Sequence, residues 1–388
     1  MHTYEQCFPV ISDMGGMIKQ ARVGIVGLGS MGQRHADLIR NTGHGVVIAG
    51  ADIAQTAREE FEQRYGITAY SSHDELYEKE SLDAVIVTTP NKSHETAVVA
   101  AFEQNINVLV EKPLAHTLDS ARQIAKAAEA SDAFGTVGFH SRFMPSATAL
   151  RAYVERGDLG NITHTETNYV RRRGVPGRGT WFTSKEMAGG GALIDIGVHV
   201  IDLTLYLLGY PDITHVSGTT RQEFGNREEY NYLHMWGEDT SDGSDFDVED
   251  SVTATLQTAQ NQTISLDIAW ANNGRYKRDI SLRGTDAGAT FDTKNGDLTL
   301  HESRHVGVDH HVDLEITTDS PDSKQEQTDR FLSAVQTGEP LEINTIDEAL
   351  TVQRVVEAIY QSSEHNGHPI CLKEGTEINA IEEPIMLG

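Results

Sequence analysis

Three side chains of complementary chemistry stand out. Lys112 directly follows the apolar run Asn107–Val110 and precedes Pro113. Asp195 and His199 lie four residues apart in the otherwise apolar stretch Leu193–Leu208. That spacing places two side chains on one helical face, and Asp202, three residues further on, shares the stripe. Polar groups on an apolar helix must be hydrogen-bonded or carry a penalty of several kcal/mol. They are therefore either a buried network or the wall of a site. As a site they fit hydride transfer from a secondary alcohol to C4 of a nicotinamide. An imidazole ionises near working pH, at about 6.5, and takes the hydroxyl proton. An ammonium steadies developing alkoxide charge, and a carboxylate holds a neighbouring hydroxyl in place. His199, Lys112 and Asp195 are assigned these roles in that order.

A second motif supplies a place for the nicotinamide carrier. The run Val23–Val26 leads straight into Gly27-Leu28-Gly29-Ser30-Met31-Gly32, with a helix expected to open at about Ser30. Gly27 makes the tight turn, Gly29 lets the backbone approach a pyrophosphate, and Gly32 permits close helix–strand packing. Ser30 and Met31 sit where free amides and the positive end of the helix dipole face the phosphates. Asp52 lies twenty residues past Gly32, at the end of the next apolar run. A carboxylate there accepts hydrogen bonds from the adenosine ribose and repels a 2′-phosphate, which favours NAD over NADP.

The elements that must carry these groups change character along the chain. Apolar runs at Val23–Gly27, Val46–Ala51, Ala84–Thr88, Asn107–Val110 and Gly135–Phe139 alternate with helical spacing. That pattern reads as βαβ units and a parallel sheet covered on both faces. Beyond Asn161 period-two alternation takes over, at Thr163–Val170, Ser251–Leu256, Thr263–Ala269, Arg278–Arg283 and Asp297–His301. Turn signals at Asn273-Gly274, Asp286–Gly288 and Asn295-Gly296 predict antiparallel hairpins. Gln325–Glu364 returns to helical spacing. The expected division is a peripheral extension over 1–20, a dinucleotide-binding domain over 21–143 and a substrate and oligomerisation domain over 144–388.

Four further segments follow in order: Thr88–His94, Val110–Ala115, Gly138–Pro145 and Gly189–Asp202. With the glycine loop, this ordered set resembles the glucose–fructose oxidoreductase, inositol dehydrogenase and rhizopine-catabolism (Gfo/Idh/MocA) family, over nearly all of Ala21 to Leu372. The resemblance implies an α/β protein: an N-terminal Rossmann dinucleotide-binding domain, then an α+β domain with a large open-faced, mostly antiparallel sheet. It implies NAD(P)-dependent oxidation of sugars, glycosides or cyclitols, a cis Lys112–Pro113 bond, and a homodimer or homotetramer built through the open sheet. It places Thr89, Asn91, His94 and Glu111 on the cofactor side. Substrate recognition is expected from Arg142, from Arg171 by hydrogen bonding and from Trp181 by stacking. A free-aldose C1 dehydrogenase and a non-catalytic dinucleotide-binding sensor are the alternatives.

Composition closes off other classes. The chain has 388 residues, with 58 acidic and 31 basic side chains and a net charge of −27. That charge repels nucleic-acid backbones and disfavours a highly anionic substrate, although Arg171, Arg172 and Arg173 run the other way. Two cysteines, Cys7 and Cys371, make neither a disulfide framework nor a structural zinc site. His301, His305, His310 and His311 match no metal-ligand pattern, so no metal is expected. No run of eighteen apolar residues predicts a membrane span, and the absence of a secretory pattern over 1–19 predicts a cytoplasmic protein. Dispersed acidity with only 10 Lys against 21 Arg fits a salt-rich cytosol.

Overall fold

A computed structural model describes residues 20–230, 245–319, 322–372 and 379–380. Residues 1–19, with Cys7 and the expected extension, and most of the acidic run from Glu238 lie outside the described residues. The first half folds around β1 (Ala21–Val26), β2 (Gly45–Ala51), β3 (Ala69–Tyr70), β4 (Ala84–Val87), β5 (Asn107–Val110) and β6 (Gly135–Val137). These form one parallel sheet in the order β3-β2-β1-β4-β5-β6. The order reverses between β1 and β4, and in an open α/β sheet ligands bind at that switch, beyond the carboxyl ends of the strands. The glycine loop follows β1, Thr88 follows β4, Lys112 follows β5 and His140 follows β6. One end of one sheet thus gathers every first-half motif.

The second half is built on a ten-stranded sheet. Its strands are β7 (Ile162–Val170), β8 (Ile213–Arg221), β9 (Ser251–Thr258), β10 (Thr263–Ala269), β11 (Asp279–Gly284), β12 (Ala287–Asp292), β13 (Leu298–Val306), β14 (Val308–Ile316), β15 (Ile370–Cys371) and β16 (Asn379–Ala380). The order is β14-β13-β12-β11-β7-β10-β9-β8-β15-β16, antiparallel except where β10 runs parallel to β7. On β9, Val252, Ala254 and Leu256 are buried while Thr253, Thr255 and Gln257 are exposed. One face therefore packs on helices and the other is open, as period-two alternation requires.

Six strands escaped the sequence pattern. Strands β3, β15 and β16 have two residues each. Strands β8 and β12 are short of apolar positions, and β14 (VDHHVDLEI) is largely exposed on both faces, so neither period-two burial nor a run marks it. The helix expected over Leu193–Leu208 opens as a π-turn, Leu193–Gly197, and becomes α-helical from Val198 to Leu208. Among the described residues the stretch Lys185–Leu208 is long and apolar enough to cross a membrane, but 78% of its most apolar window is buried inside the protein.

The C-terminal helices join the halves. Ser323–Thr337 sends Phe331 and Leu332 into the core beneath β1 and β2. Ile346–Glu364, started by a reciprocal Thr345–Glu348 capping box, packs in a core shared by residues of both sheets.

Candidate active site

The glycine loop has the shape a dinucleotide needs. Gly27 has φ of +91°, a conformation that strains other residues. A Cβ on Gly32 would lie 2.0 Å from the Gly27 carbonyl oxygen, whereas one on Gly29 would meet nothing within 4 Å. The first and third glycines thus serve packing, and the second leaves open space in front of the loop. The helix Ser30–Arg40 begins there with no side-chain cap, so its leading amides remain available to an anion. Asp52 sits against the loop: Oδ2 accepts the Leu28 N–H at 2.8 Å and Oδ1 the Ala54 N–H at 2.8 Å. Each oxygen retains capacity for a further donor. The residues therefore fit a dinucleotide, whose nicotinamide would supply the hydride acceptor.

The cleft continues toward the second sheet with a volume of about 260 Å³. Met31, Thr89, Asn91, Glu111 and Lys112 line it from the first half, and Arg171, Trp181, Asp195 and His199 from the second. The Lys112–Pro113 bond is cis. Lys112 Nζ donates to Asp195 Oδ1 at 3.0 Å and to the Asp195 carbonyl oxygen at 2.9 Å. Trp270 Nε1 donates to Asp195 Oδ2 at 3.0 Å. Burial alone would push the Asp195 carboxyl up, but Lys112 and Arg171 bring it below its ordinary value. His199 packs edge-on to His140 at 5.6 Å between ring centroids. Burial, the Lys112 charge and His140 hold its imidazole well below the ordinary histidine range. These influences favour the neutral imidazole, the form in which a proton can be accepted.

Glu111 holds a charged cluster on the first-half wall of the cleft. Its Oε1 meets His35 Nε2 at 2.9 Å and accepts from Lys324 Nζ at 3.3 Å, while Oε2 accepts the Lys112 N–H at 3.3 Å. Burial works against its ionisation, yet Lys324 and His35 keep it well below the carboxylate range. Asn91 Nδ2 donates to the Ala188 carbonyl oxygen at 2.8 Å, tying the loop after β4 to the second half.

Two expected positions are corrected. Arg142 does not reach the cleft. It is 1% exposed and lies in a buried ion network with Asp202, Glu348 and Tyr210. Three polar partners surround the charge where the sequence shows only a motif beside a strand. His94 is buried, with Nδ1 and Nε2 each 2.9 Å from the Pro113 and Thr89 carbonyl oxygens. It fastens the loops that carry Thr89 and Lys112 and does not face the cleft. Asp202 also leaves the stripe. Three residues at about 100° each place it roughly 60° around the helix from His199, enough to turn it into the core.

Sequence reasoning missed Arg34, His140, Tyr169, Phe182 and Lys324, all of which line the cleft. His140 falls inside the segment Gly138–Pro145 and Tyr169 inside the run Thr163–Val170. Lys324 carried no signal, because it arrives from a C-terminal helix more than two hundred residues away.

A parallel six-stranded sheet with a glycine loop at its switch point, joined to an open-faced sheet, defines a two-domain nicotinamide-dependent oxidoreductase. Family models agree: residues 21–139 match the oxidoreductase family with an NAD-binding Rossmann fold, and residues 147–290 match the GFO/IDH/MocA C-terminal domain. The chain belongs to the Gfo/Idh/MocA family. It is 29% identical over 354 residues to D-glucoside 3-dehydrogenase of Escherichia coli, covering 88% of this chain and 95% of that protein. It is 33% identical over 263 residues to a UDP-kanosamine synthase oxidoreductase subunit of Amycolatopsis mediterranei, covering 67% and 71%. In fold it is similar to levoglucosan dehydrogenase in complex with NADH and levoglucosan, with a TM-score of 0.78 at 20% identity over 91% of this chain and 99% of that one.

Proposed function

We propose that the protein is an NAD-dependent dehydrogenase of a secondary ring hydroxyl in a sugar, glycoside or cyclitol. The observation that carries this reading is the convergence of Lys112, Asp195 and His199 on one cleft that also contains Met31 of the glycine loop. His199 takes the hydroxyl proton as the carbon-bound hydrogen leaves as hydride. Lys112 donates to the reacting oxygen and stabilises its charge. Asp195 holds Lys112 in place and accepts from a neighbouring hydroxyl. Trp181 and Phe182, stacked at 3.8 Å, offer an apolar platform for a sugar face. NAD is preferred because Asp52 stands where a 2′-phosphate would meet a carboxylate. The relationship to a glucoside 3-dehydrogenase supports a ring position over C1. Assembly uses the open sheet face, as a homodimer or homotetramer in a salt-rich cytoplasm.

The test is NADH formation from a panel of glycosides, free aldoses and inositols, at low salt and at 2 M KCl on the order expected to screen a dispersed acidic surface. Ring-hydroxyl substrates should react, and activity should rise with salt. Turnover of aldoses alone would move the reaction to C1, and no NADH from any of them would favour a dinucleotide sensor.

A further inference from the structure

His140 follows β6 and lines the cleft. Its ring stands edge-on to that of His199, with 5.6 Å between centroids and 63° between planes. Of its two ring nitrogens, Nδ1 lies 3.0 Å from the Ser323 hydroxyl oxygen, at the start of the helix Ser323–Thr337. Nε2 has no hydrogen-bond partner among the described residues and is not sealed from solvent. Burial, and after it the Lys324 charge, push this imidazole down to about 3. A neutral imidazole carries one donor and one acceptor, and a hydroxyl can meet either. Ser323 thus fixes the ring while Nε2 remains free for a ligand hydroxyl.

Three consecutive residues build this placement. Asp322 meets Arg34 at 3.6 Å, Ser323 meets His140, and Lys324 meets Glu111 at 3.3 Å. Arg34, Glu111 and His140 all line the cleft, so the helix start fastens its first-half wall at three points. Asp195 is held from a different side, by Lys112 and Trp270. In the dehydrogenase reading Lys112 and His199 meet the reacting oxygen. Asp195 flanks that pair beside the lysine, and His140 flanks it beside the histidine.

We propose that His140 Nε2 binds a substrate hydroxyl adjacent to the reacting one, on the side opposite the hydroxyl that Asp195 accepts. The cleft then reads three contiguous ring hydroxyls. This rests on the dehydrogenase reading and narrows it to substrates whose reacting carbon has a carbinol on each side. A free aldose reacting at C1 has only one such neighbour, because the other is the ring oxygen, and it forgoes this contact. Once substrate displaces water from Nε2, a hydroxyl there supplies the missing partner, and an unmade hydrogen bond in a dry site is unfavourable.

The full-length enzyme with NAD is assayed on methyl β-D-glucopyranoside and its 2-deoxy and 4-deoxy derivatives. If a different sugar or inositol is turned over, the two monodeoxy neighbours of its reacting carbon serve instead. Each deletion should cost the wild-type enzyme about tenfold in kcat/KM, the worth of one hydrogen bond to a buried partner. His140→Phe keeps a ring and its edge contact with His199 but removes the nitrogen. It should lower kcat/KM on the parent by about tenfold, more through KM than through kcat. It should also abolish the penalty of one deletion and leave the other. His140→Gln, which retains a donor and an acceptor, should restore part of the abolished penalty. Each penalty is a ratio within one preparation, so a poorly folded variant does not mimic it. Equal loss on the parent and both derivatives would make His140 a prop for His199 and overturn the proposal. So would penalties unchanged in His140→Phe, or recovery of its kcat by added imidazole, which would make His140 a proton relay. Absence of NADH from every sugar would instead defeat the dehydrogenase reading, a different result from unchanged penalties.

Discussion

Asp195 and Asp202 lie seven residues apart on one helical segment and meet opposite fates. Asp195 faces the cleft, where Lys112 and Trp270 hold its two oxygens. Asp202 is 0% exposed and accepts from Arg142 Nε at 2.9 Å and from the Tyr210 hydroxyl at 3.0 Å. Residue type and spacing are shared, so neither decides the role. The partner does: a lysine at a strand end beside open space keeps one aspartate at the wall of the cleft, and an arginine enclosed by Tyr210 and Glu348 makes the other a structural ion pair.

Substitutions on the two sides should separate activity from stability. On the cleft side, His199→Ala should lower kcat by about 10²–10⁴-fold, the contribution of a positioned general base, with little change in melting temperature. Steady-state kinetics beside thermal unfolding checks both halves. On the buried side, Arg142→Met should lower unfolding free energy by about 3–5 kcal/mol in urea titration, because Asp202 is left charged and enclosed. The double variant Arg142→Met with Asp202→Leu should recover much of that loss. Recovery absent from the double variant would mean that Glu348 and Tyr210 dominate the network.

A smaller effect is expected at the cofactor end. Asp52→Ala should reduce the NAD-to-NADP ratio of kcat/KM by about tenfold, as one charge-assisted hydrogen bond and one repulsion are lost. An unchanged ratio would reduce Asp52 to a loop brace for Leu28 and Ala54. The smallest effect lies in the pH profile. In the proposed mechanism His199 acts unprotonated, and burial with Lys112, His140 and Lys324 holds its pKa well below the ordinary histidine value. The acid limb for alcohol oxidation should therefore fall below pH ~6.5. Lys324→Met removes one of those charges and should move that limb upward, toward the ordinary histidine value.

Much of the first half was legible because a buried parallel strand announces itself. The run Ala84–Val87 is fully buried, and an apolar stretch of that length with turns around it has few other uses. The glycine loop was legible for a similar reason: close approach at Gly32 excludes every other side chain. The second half was read less completely. An open-faced sheet gives only alternation, and β14, polar on both sides, gives neither alternation nor a run. Within the site, Lys112, Asp195 and His199 could be named from motif and spacing, whereas Arg142 was misplaced, because a strand-end motif does not reveal whether an arginine turns toward solvent, ligand or a buried carboxylate.

Local chemistry along the chain determined the strand–loop–helix that receives a dinucleotide, the alternation that builds an open sheet, and the types of side chain able to move a proton and a hydride. Those depend on neighbours a few residues away. Tertiary structure alone decided that Lys324 comes back to the cleft from the C-terminal helix, that Asp202 is enclosed by Arg142, and that Arg171 and Arg278 converge on one tyrosine. Such pairings span tens to hundreds of residues, and no spacing rule encodes them, because they are fixed by how two sheets and their helices share a core.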